Sequence, residues 1–313
     1  MKILLTGANG FLGRALWLRL RSVTGVNVVP AIHRSCAPPE LAASAIVAEL
    51  SAETNWFSAL DGVNVVIHCA ARAHVKHGPI QFASAEFRLV NVEGTLSLAR
   101  QAATVGVRRF VFISSIGVNG IKTDLFPFTA DGEESPHSAY AQSKYEAEKG
   151  LRVLAAQTGM EVVIIRPPMV YGFNAPGNFG LLIHWLNLDI PLPLGSVTRN
   201  RRSWVALDNL VDLIVTCLAH PRAVNQTFLV SDDTDVSTTE FLRRIEKIFD
   251  RRVRLLPVPA TILKTALVVV GKSSLAQSLL GSLQVDISKT CGLLNWKPPV
   301  SLDEGLRRAV KLN

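Results

Sequence analysis

Tyr140 and Lys144 stand four residues apart in Tyr140-Ala141-Gln142-Ser143-Lys144, the spacing that puts two side chains on one helical face, one turn apart. A phenol with an ordinary pKa of about 10 is a poor acid–base group at neutral pH, so a neighbouring ammonium is needed to stabilise the phenolate. Lys144 is expected to supply that charge. Ser115 closes a mostly apolar run, Arg109–Ser114, and is a third polar group for the same pocket. A fourth feature, Thr6-Gly7-Ala8-Asn9-Gly10-Phe11-Leu12-Gly13, has the spacing GxxGxxG between an apolar run and an amphipathic one. Glycines there permit a tight turn and bring a pyrophosphate close to the N–H groups of a following helix. A Tyr/Lys pair is commonplace, and a glycine turn alone also serves as a plain strand-to-helix connection. Combined with a Ser at a strand end, these motifs make an ordinary surface pair and a plain connection very unlikely.

Positioning these groups requires a parallel sheet. Lys2–Thr6, Asn27–Ile32, Ala45–Glu49, Val63–Cys69, Arg109–Ser114 and Glu161–Arg166 each read as a short strand, with helical patterns near 11–22, 53–60, 82–105 and 138–157 between them. That alternation predicts an α/β fold, a Rossmann-type doubly wound parallel sheet. After Pro167-Pro168 the pattern becomes turn-rich, and a smaller C-terminal substrate-binding lobe is expected. The division reads as 1–170 for the nucleotide-binding domain, with 206–231 returning to it, and 171–205 plus 232–313 for the lobe. Ser203–Leu218 and Thr227–Ser231 are the segments expected to rejoin the sheet.

The 313 residues, 48% hydrophobic and 19% charged, suit an ordinary globular core without disulfide or metal staples. The apolar stretch 262–270 is interrupted by Lys264 and falls well short of the roughly 20 residues that cross a bilayer. No transmembrane segment is expected, and the amino terminus reads as a cytoplasmic start. Cys36, Cys69, Cys217 and Cys291 are far apart and read as reduced thiols, and His74 and His77 lack a third ligand at metal spacing, so no metal is expected. Lys and Arg number 33 against 25 Asp and Glu, a net charge of +8, which suits a nucleic acid, an anionic membrane surface or a phosphate-bearing substrate. The five Trp residues are scattered rather than interleaved with a basic stripe, which argues against nucleic acid. The basic balance together with the apolar Thr261–Val270 segment leaves weak membrane-surface association open, and a homodimer is also open.

With these motifs in place the chain resembles the extended short-chain dehydrogenase/reductase family, the nucleotide-sugar epimerases, dehydratases and reductases. The resemblance runs through His68-Cys69-Ala70-Ala71, Asn91-Val92-Glu93-Gly94-Thr95, Arg166 to Gly172, Arg202 to Asn209 and Leu294 to Pro299. Segments 68–75, 114–120, 228–233 and 281–286 look most like a bacterial subgroup that joins proteins labelled UDP-glucose 4-epimerase with C4 reductases of surface-polysaccharide synthesis. The subgroup pattern has Lys where this chain has Gly117, so one cation near the strand end is missing.

The resemblance implies roles residue by residue. Ser115, Tyr140 and Lys144 would be catalytic, with Lys144 also holding the nicotinamide ribose and Ser115 bonding the reacting sugar oxygen. Gly7, Asn9, Gly10, Phe11, Leu12, Gly13, Glu49, Leu50, Ala70, Ala71, Asn91 and Pro167 would line the cofactor. Asn178, Phe179 and Arg202 would meet the nucleotide-sugar, Arg202 as a clamp on its pyrophosphate. At the end of the second strand stand Ala31, Ile32, His33 and Arg34, with no carboxylate for a ribose 2′-OH. Arg34 suits a 2′-phosphate, so NADP is the expected cofactor with NAD the alternative. The leading expectation is an NADP-linked C4 ketoreductase of a UDP-4-keto-6-deoxy-N-acetylhexosamine. Its nearest rival is an NAD-dependent UDP-glucose or UDP-N-acetylglucosamine 4-epimerase. A non-catalytic NADP-binding scaffold is the rival of another class, opposed by the intact Ser, Tyr and Lys.

Overall fold

The computed structural model describes residues 1–33, 39–42, 45–73, 80–188, 190–249 and 253–310. From the amino end run β1 (Lys2–Thr6), α1 (Phe11–Arg21), β2 (Asn27–Ile32), α2 (Pro39–Ala42), β3 (Ile46–Val47), α3 (Phe57–Leu60) and β4 (Val65–His68). Next come α4 (Ile80–Phe87), a π-helical stretch (Arg88–Gly94), α5 (Thr95–Thr104), β5 (Arg109–Ile113), a 3-10 turn (Ile116–Val118), α6 (Ala139–Thr158) and β6 (Glu161–Arg166). Then follow β7 (Met169–Tyr171), α7 (Gly177–Asn187), β8 (Trp204–Ala206), α8 (Leu207–Cys217) and β9 (Thr227–Leu229). The chain closes with α9 (Thr238–Phe249), α10 (Ala260–Val269), α11 (Ser273–Leu280), α12 (Ser288–Leu294) and α13 (Leu302–Val310).

The near-continuous apolar runs of β1, β4, β5 and β6 follow from burial of both faces of the sheet. Ile3, Leu5, Val65, Ile67, Val111, Ile113, Val163 and Ile165 pack with Leu16, Leu20, Leu210 and Ile214 of α1 and α8. The intervening Leu4, Val66, Phe110, Phe112, Val162 and Ile164 pack on the other face with Leu98, Ala102, Ala147 and Leu151 of α5 and α6. The seven strands are parallel and ordered β3-β2-β1-β4-β5-β6-β9. Winding reverses between β1 and β4, and their carboxyl ends frame the crevice where such sheets take ligands.

Thr227–Leu229 does enter this sheet, beside β6. Trp204–Ala206 does not, because it pairs with β7 in a separate two-stranded sheet. A third buried cluster contains no residue of the seven-stranded sheet: Tyr171, Phe179, Trp204, Phe241 and Leu306 lie at its centre. The expected helix 53–60 is shortened to α3. Asn55 Oδ1 accepts the Phe57 N–H and Gln101 Oε1 accepts the Trp56 N–H, so side chains satisfy donors that an earlier helical turn would use.

Candidate active site

Gly7 sits at φ +68°, and a Cβ there would lie 2.7 Å from the Ala70 nitrogen. A Cβ on Gly13 would lie 2.1 Å from the Gly7 carbonyl oxygen. Both positions therefore exclude any side chain, which lets the turn, α1 and the end of β4 close on one another. Gly10 caps α1 with extended backbone, and the first turn has neither an acidic residue nor a side-chain cap. The positive end of the helix is left to attract an anion.

A cavity of about 360 Å³ opens there. Gly7, Asn9 and Gly10 line it with Ile32 at the end of β2 and His33 after it, Glu49 and Leu50 after β3, and Ala70 and Ala71 after β4. The side-chain-free cradle and the capless helix end suit the adenosine and pyrophosphate half of a nicotinamide dinucleotide. Ala31, Ile32 and His33 offer no carboxylate, and Arg34 lies outside the described residues, as do Cys36, His74 and His77. Leu12 packs half-buried on the sheet core, and Phe11 packs on the third cluster. Phe11 is close to Gly172, where a Cβ would sit 3.2 Å from its Cζ.

The turn carrying Tyr140 is set by Ser138, whose extended backbone and Oγ, accepting the Ala141 N–H at 3.1 Å, cap α6. Lys144, one turn on, is completely enclosed. Its Nζ donates to the Ile113 carbonyl oxygen at 2.7 Å and lies 4.3 Å from the Phe112 ring centroid. Burial pulls the Lys144 pKa down to about 8, against the opposing influence of Cys69 and Glu148. Tyr140 is half-buried, edge-on to Phe87 at 6.0 Å between ring centroids, and burial pushes its phenol up to about 12. Ser115 caps the 3-10 turn after β5, its Oγ accepting the Gly117 N–H at 3.1 Å. A Cβ on Gly117 would lie 3.4 Å from that Oγ and 3.3 Å from the Ala141 Cβ, so Ser115 and the first turn of α6 meet across a glycine. Pro167 fixes this corner by accepting the Ile116 N–H at 3.0 Å through its carbonyl.

The ammonium of Lys144 is directed at the Ile113 carbonyl, and burial raises the Tyr140 pKa.

Asn91, expected on the cofactor, is buried and used as a brace. Its Nδ2 donates to the Arg72 carbonyl and to Ser143 Oγ, both at 3.0 Å, while its Oδ1 accepts the Arg72 N–H at 2.8 Å. It ties the loop after β4 to α6 from within the π-helical stretch, a distortion often found at functional sites.

Two further groups escaped the sequence reading. Glu148, fully buried one turn beyond Lys144, accepts bonds from Ser114 Oγ (2.5 Å), Arg166 Nε (2.9 Å) and Arg166 Nη2 (2.6 Å). Arg166 also donates to Asn119 Oδ1 and Glu134 Oε1, each at 3.0 Å. Burial disfavours the Arg166 charge, but its bonds to the two carboxylates hold its pKa above the ordinary range. A Glu four residues after Lys144, on the same face of the helix as Ala147 and Leu151, was the available signal. His68 is likewise buried, bonded to Thr6 Oγ1 at 2.7 Å and Thr95 Oγ1 at 2.9 Å, and burial followed by the Lys144 charge lowers its pKa to about 3. It is a neutral strut under the glycine turn.

On the other side, Arg202 is buried, and its Nη1 donates to the Gly281 carbonyl at 2.8 Å. Among the described residues no carboxylate forms an ion pair with it, and burial lowers its pKa to about 10. Arg201, by contrast, is exposed and pairs with Glu240 at 3.6 Å. Asn178 is exposed and donates to Ser278 Oγ at 2.9 Å. The Phe179 ring is buried against Tyr171 and Phe241, and with Asn178 it lines a second cavity.

The profile of the NAD dependent epimerase/dehydratase family matches residues 3–231. A protein of Vibrio cholerae named UDP-glucose 4-epimerase is 44% identical over 310 residues, covering 99% of this chain and 94% of that one. Two solved structures are similar in fold, each covering 99% of this chain at 22% identity. One is UDP-glucose 4-epimerase from Thermotoga maritima with UDP-glucose, at a TM-score of 0.78 over 98% of its chain. The other is UDP-glucuronic acid 4-epimerase from Bacillus cereus with NAD, at 0.79 over 95% of its chain. The chain belongs to the NAD dependent epimerase/dehydratase family, within the extended short-chain dehydrogenase/reductases, and is an NAD(P)-dependent nucleotide-sugar enzyme. No described helix is long and apolar enough to cross a membrane.

Proposed function

We propose that the protein is an NADP-linked ketoreductase that reduces the C4 carbonyl of a UDP-4-keto-6-deoxy-N-acetylhexosamine. The reading is supported by the end of β2, where Ala31, Ile32 and His33 offer no carboxylate for a ribose 2′-OH and Arg34 follows in sequence, a combination that favours an exchangeable phosphorylated cofactor. The second reading, an NAD-dependent 4-epimerase of a UDP-hexose, is favoured by the 44% identity to the Vibrio cholerae protein of that name.

In the reductive direction, which an epimerase would also run in reverse, the chain's residues divide the work in one way. A dinucleotide seated on Gly7, Gly10 and Gly13, with Glu49 and Leu50 toward its adenine and Lys144 toward its ribose, supplies the hydride when bound. Tyr140 passes its proton to the C4 oxygen. Ser115 Oγ hydrogen-bonds the same oxygen and orients it, while Lys144, held by the Ile113 carbonyl, adds positive charge beside the phenol as it becomes anionic. Arg202 is a buried cation without a carboxylate partner among the described residues, and a nucleotide diphosphate is the anion proposed to balance it.

The two readings separate on the nucleotide that the purified enzyme carries. An epimerase must keep NAD bound through both hydride transfers, whereas a reductase must exchange NADP(H) at every turnover. Chromatography of the supernatant after acid denaturation is expected to find no stoichiometric NAD, and stoichiometric NAD would transfer the proposal to the epimerase. Arg34→Asp is expected to weaken NADPH binding roughly tenfold to a hundredfold while NADH binding holds, since a charge-assisted bond to the 2′-phosphate contributes about 1.5–3 kcal/mol. Equal titration curves for wild type and variant would remove Arg34 from cofactor choice.

A further inference from the structure

We propose that α10 and its flanks form a docking surface for an anionic lipid bilayer, so that the enzyme works at a membrane face. Helix α10 reads Ala260-Thr261-Ile262-Leu263-Lys264-Thr265-Ala266-Leu267-Val268-Val269, and none of its residues is buried. Ile262 is 60% exposed, Val269 79% and Val270 63%. A surface helix normally turns its apolar stripe to the core and shows polar residues outward, so this arrangement marks an interaction site.

The occupant follows from charge. From Val253 to Val285 the chain carries Arg254, Lys264 and Lys272 and no Asp or Glu, within a protein of net charge +8. Lys264 and Lys272 are both exposed beside the apolar residues. Apolar side chains flanked by lysines suit insertion at the headgroup boundary of an anionic bilayer. A second copy docking through the same face would oppose these cations to themselves.

The surface also adjoins the candidate substrate side. Helix α10 packs on α11, and Arg202 donates to the Gly281 carbonyl that follows α11. Loop 121–128 is pinned to the same segment, Thr123 N–H donating to Ser282 O and Phe128 N–H to Gln284 O. That loop presents Leu125 and Phe126, 88% and 81% exposed, next to Asp124, whose charge is paired with Lys122 at 3.2 Å.

The test sediments the full-length protein, without sugar or cofactor, with vesicles of equimolar phosphatidylcholine and phosphatidylglycerol, and separately with phosphatidylcholine alone. Wild type is expected to partition onto the anionic vesicle at physiological salt and to lose much of that binding at about 1 M salt, where the Debye length is about 3 Å. Neutralising Lys264→Gln or Lys272→Gln should lower partitioning about fivefold each, the effect of about 1 kcal/mol per lysine near such a surface. Val269→Asp, on an exposed position that folding does not need, should lower it roughly tenfold to a hundredfold. Absence of sedimentation, equal binding to the neutral vesicle, or unchanged binding of Val269→Asp would each overturn the proposal. So would light scattering that shows a dimer converted to monomer by Val269→Asp, since a second copy would then own the face. Because no turnover is read, these outcomes are independent of the reaction proposed above.

Discussion

Lys144→Met is expected to flatten the alkaline rise in stability that the buried ammonium gives the unliganded wild type. The Lys144 pKa stands at about 8 in the folded protein against an ordinary 10.5. Below about 8 both folded and unfolded chains hold the proton, and the folded state carries the full desolvation penalty. Between about 8 and 10.5 the unfolded chain binds more protons than the folded one, so stability increases with pH and the penalty has gone above that window. The separation corresponds to about 3 kcal/mol. Methionine removes the penalty but strips the Ile113 carbonyl of its donor, a loss of about 1–3 kcal/mol, so the two proteins should be close in stability at neutral pH. The diagnostic is therefore the slope. Urea unfolding of both proteins across the window should show wild type gaining about 3 kcal/mol more than the variant. Titrations of groups that do not feel the Lys144 charge are shared and cancel in the difference, whereas those of Cys69 and His68 shift with it. Parallel curves would mean that Lys144 is not a desolvated ammonium, and the account of its site would fall with them.

Other substitutions test the remaining parts. Tyr140→Phe should lower turnover at least about a hundredfold with cofactor affinity nearly intact, and near-wild-type turnover would exclude Tyr140 as the proton donor. Arg202→Met should weaken binding of free UDP by roughly tenfold or more in calorimetry, while the unliganded protein unfolds at an undiminished urea midpoint because a cation without a carboxylate partner has been removed; unchanged UDP affinity would move the clamp elsewhere. Glu148→Gln should cost about 3–5 kcal/mol of stability, since it breaks a buried pair and leaves the enclosed Arg166 to Glu134 and Asn119 alone, and a loss below about 1 kcal/mol would show the network to be ornamental.

What could be read from the chain before the structure was whatever is local. The glycine turn is legible because the positive φ of Gly7 and the contact of Gly13 with the Gly7 carbonyl arise within one strand–turn–helix unit, although the approach of Ala70 to Gly7 is tertiary, and the Tyr140/Lys144 spacing survives because helix period alone puts them on one face. The π-helical stretch within 82–105 was not legible, since one widened turn hardly disturbs an apolar repeat. Pairing decided elsewhere was equally hidden: Trp204–Ala206 chooses β7 over the large sheet, and Phe179 turns its ring into an aromatic cluster assembled from residues far apart in sequence. The Ile113 carbonyl as the partner of Lys144, and the burial around Lys144 and Tyr140, lay out of reach for the same reason.

The central claim is that this site reduces a C4 carbonyl with an exchangeable cofactor and a proton from Tyr140. The most direct test incubates the purified enzyme with a UDP-4-keto-6-deoxy-N-acetylhexosamine and NADPH carrying deuterium at the transferring position, and reads the product by mass spectrometry and NMR. One deuterium is expected at C4 of the sugar for each NADPH consumed, with Tyr140→Phe nearly silent under the same conditions. Interconversion of UDP-glucose and UDP-galactose without NADPH consumption, and no label in the keto-sugar product, would contradict it.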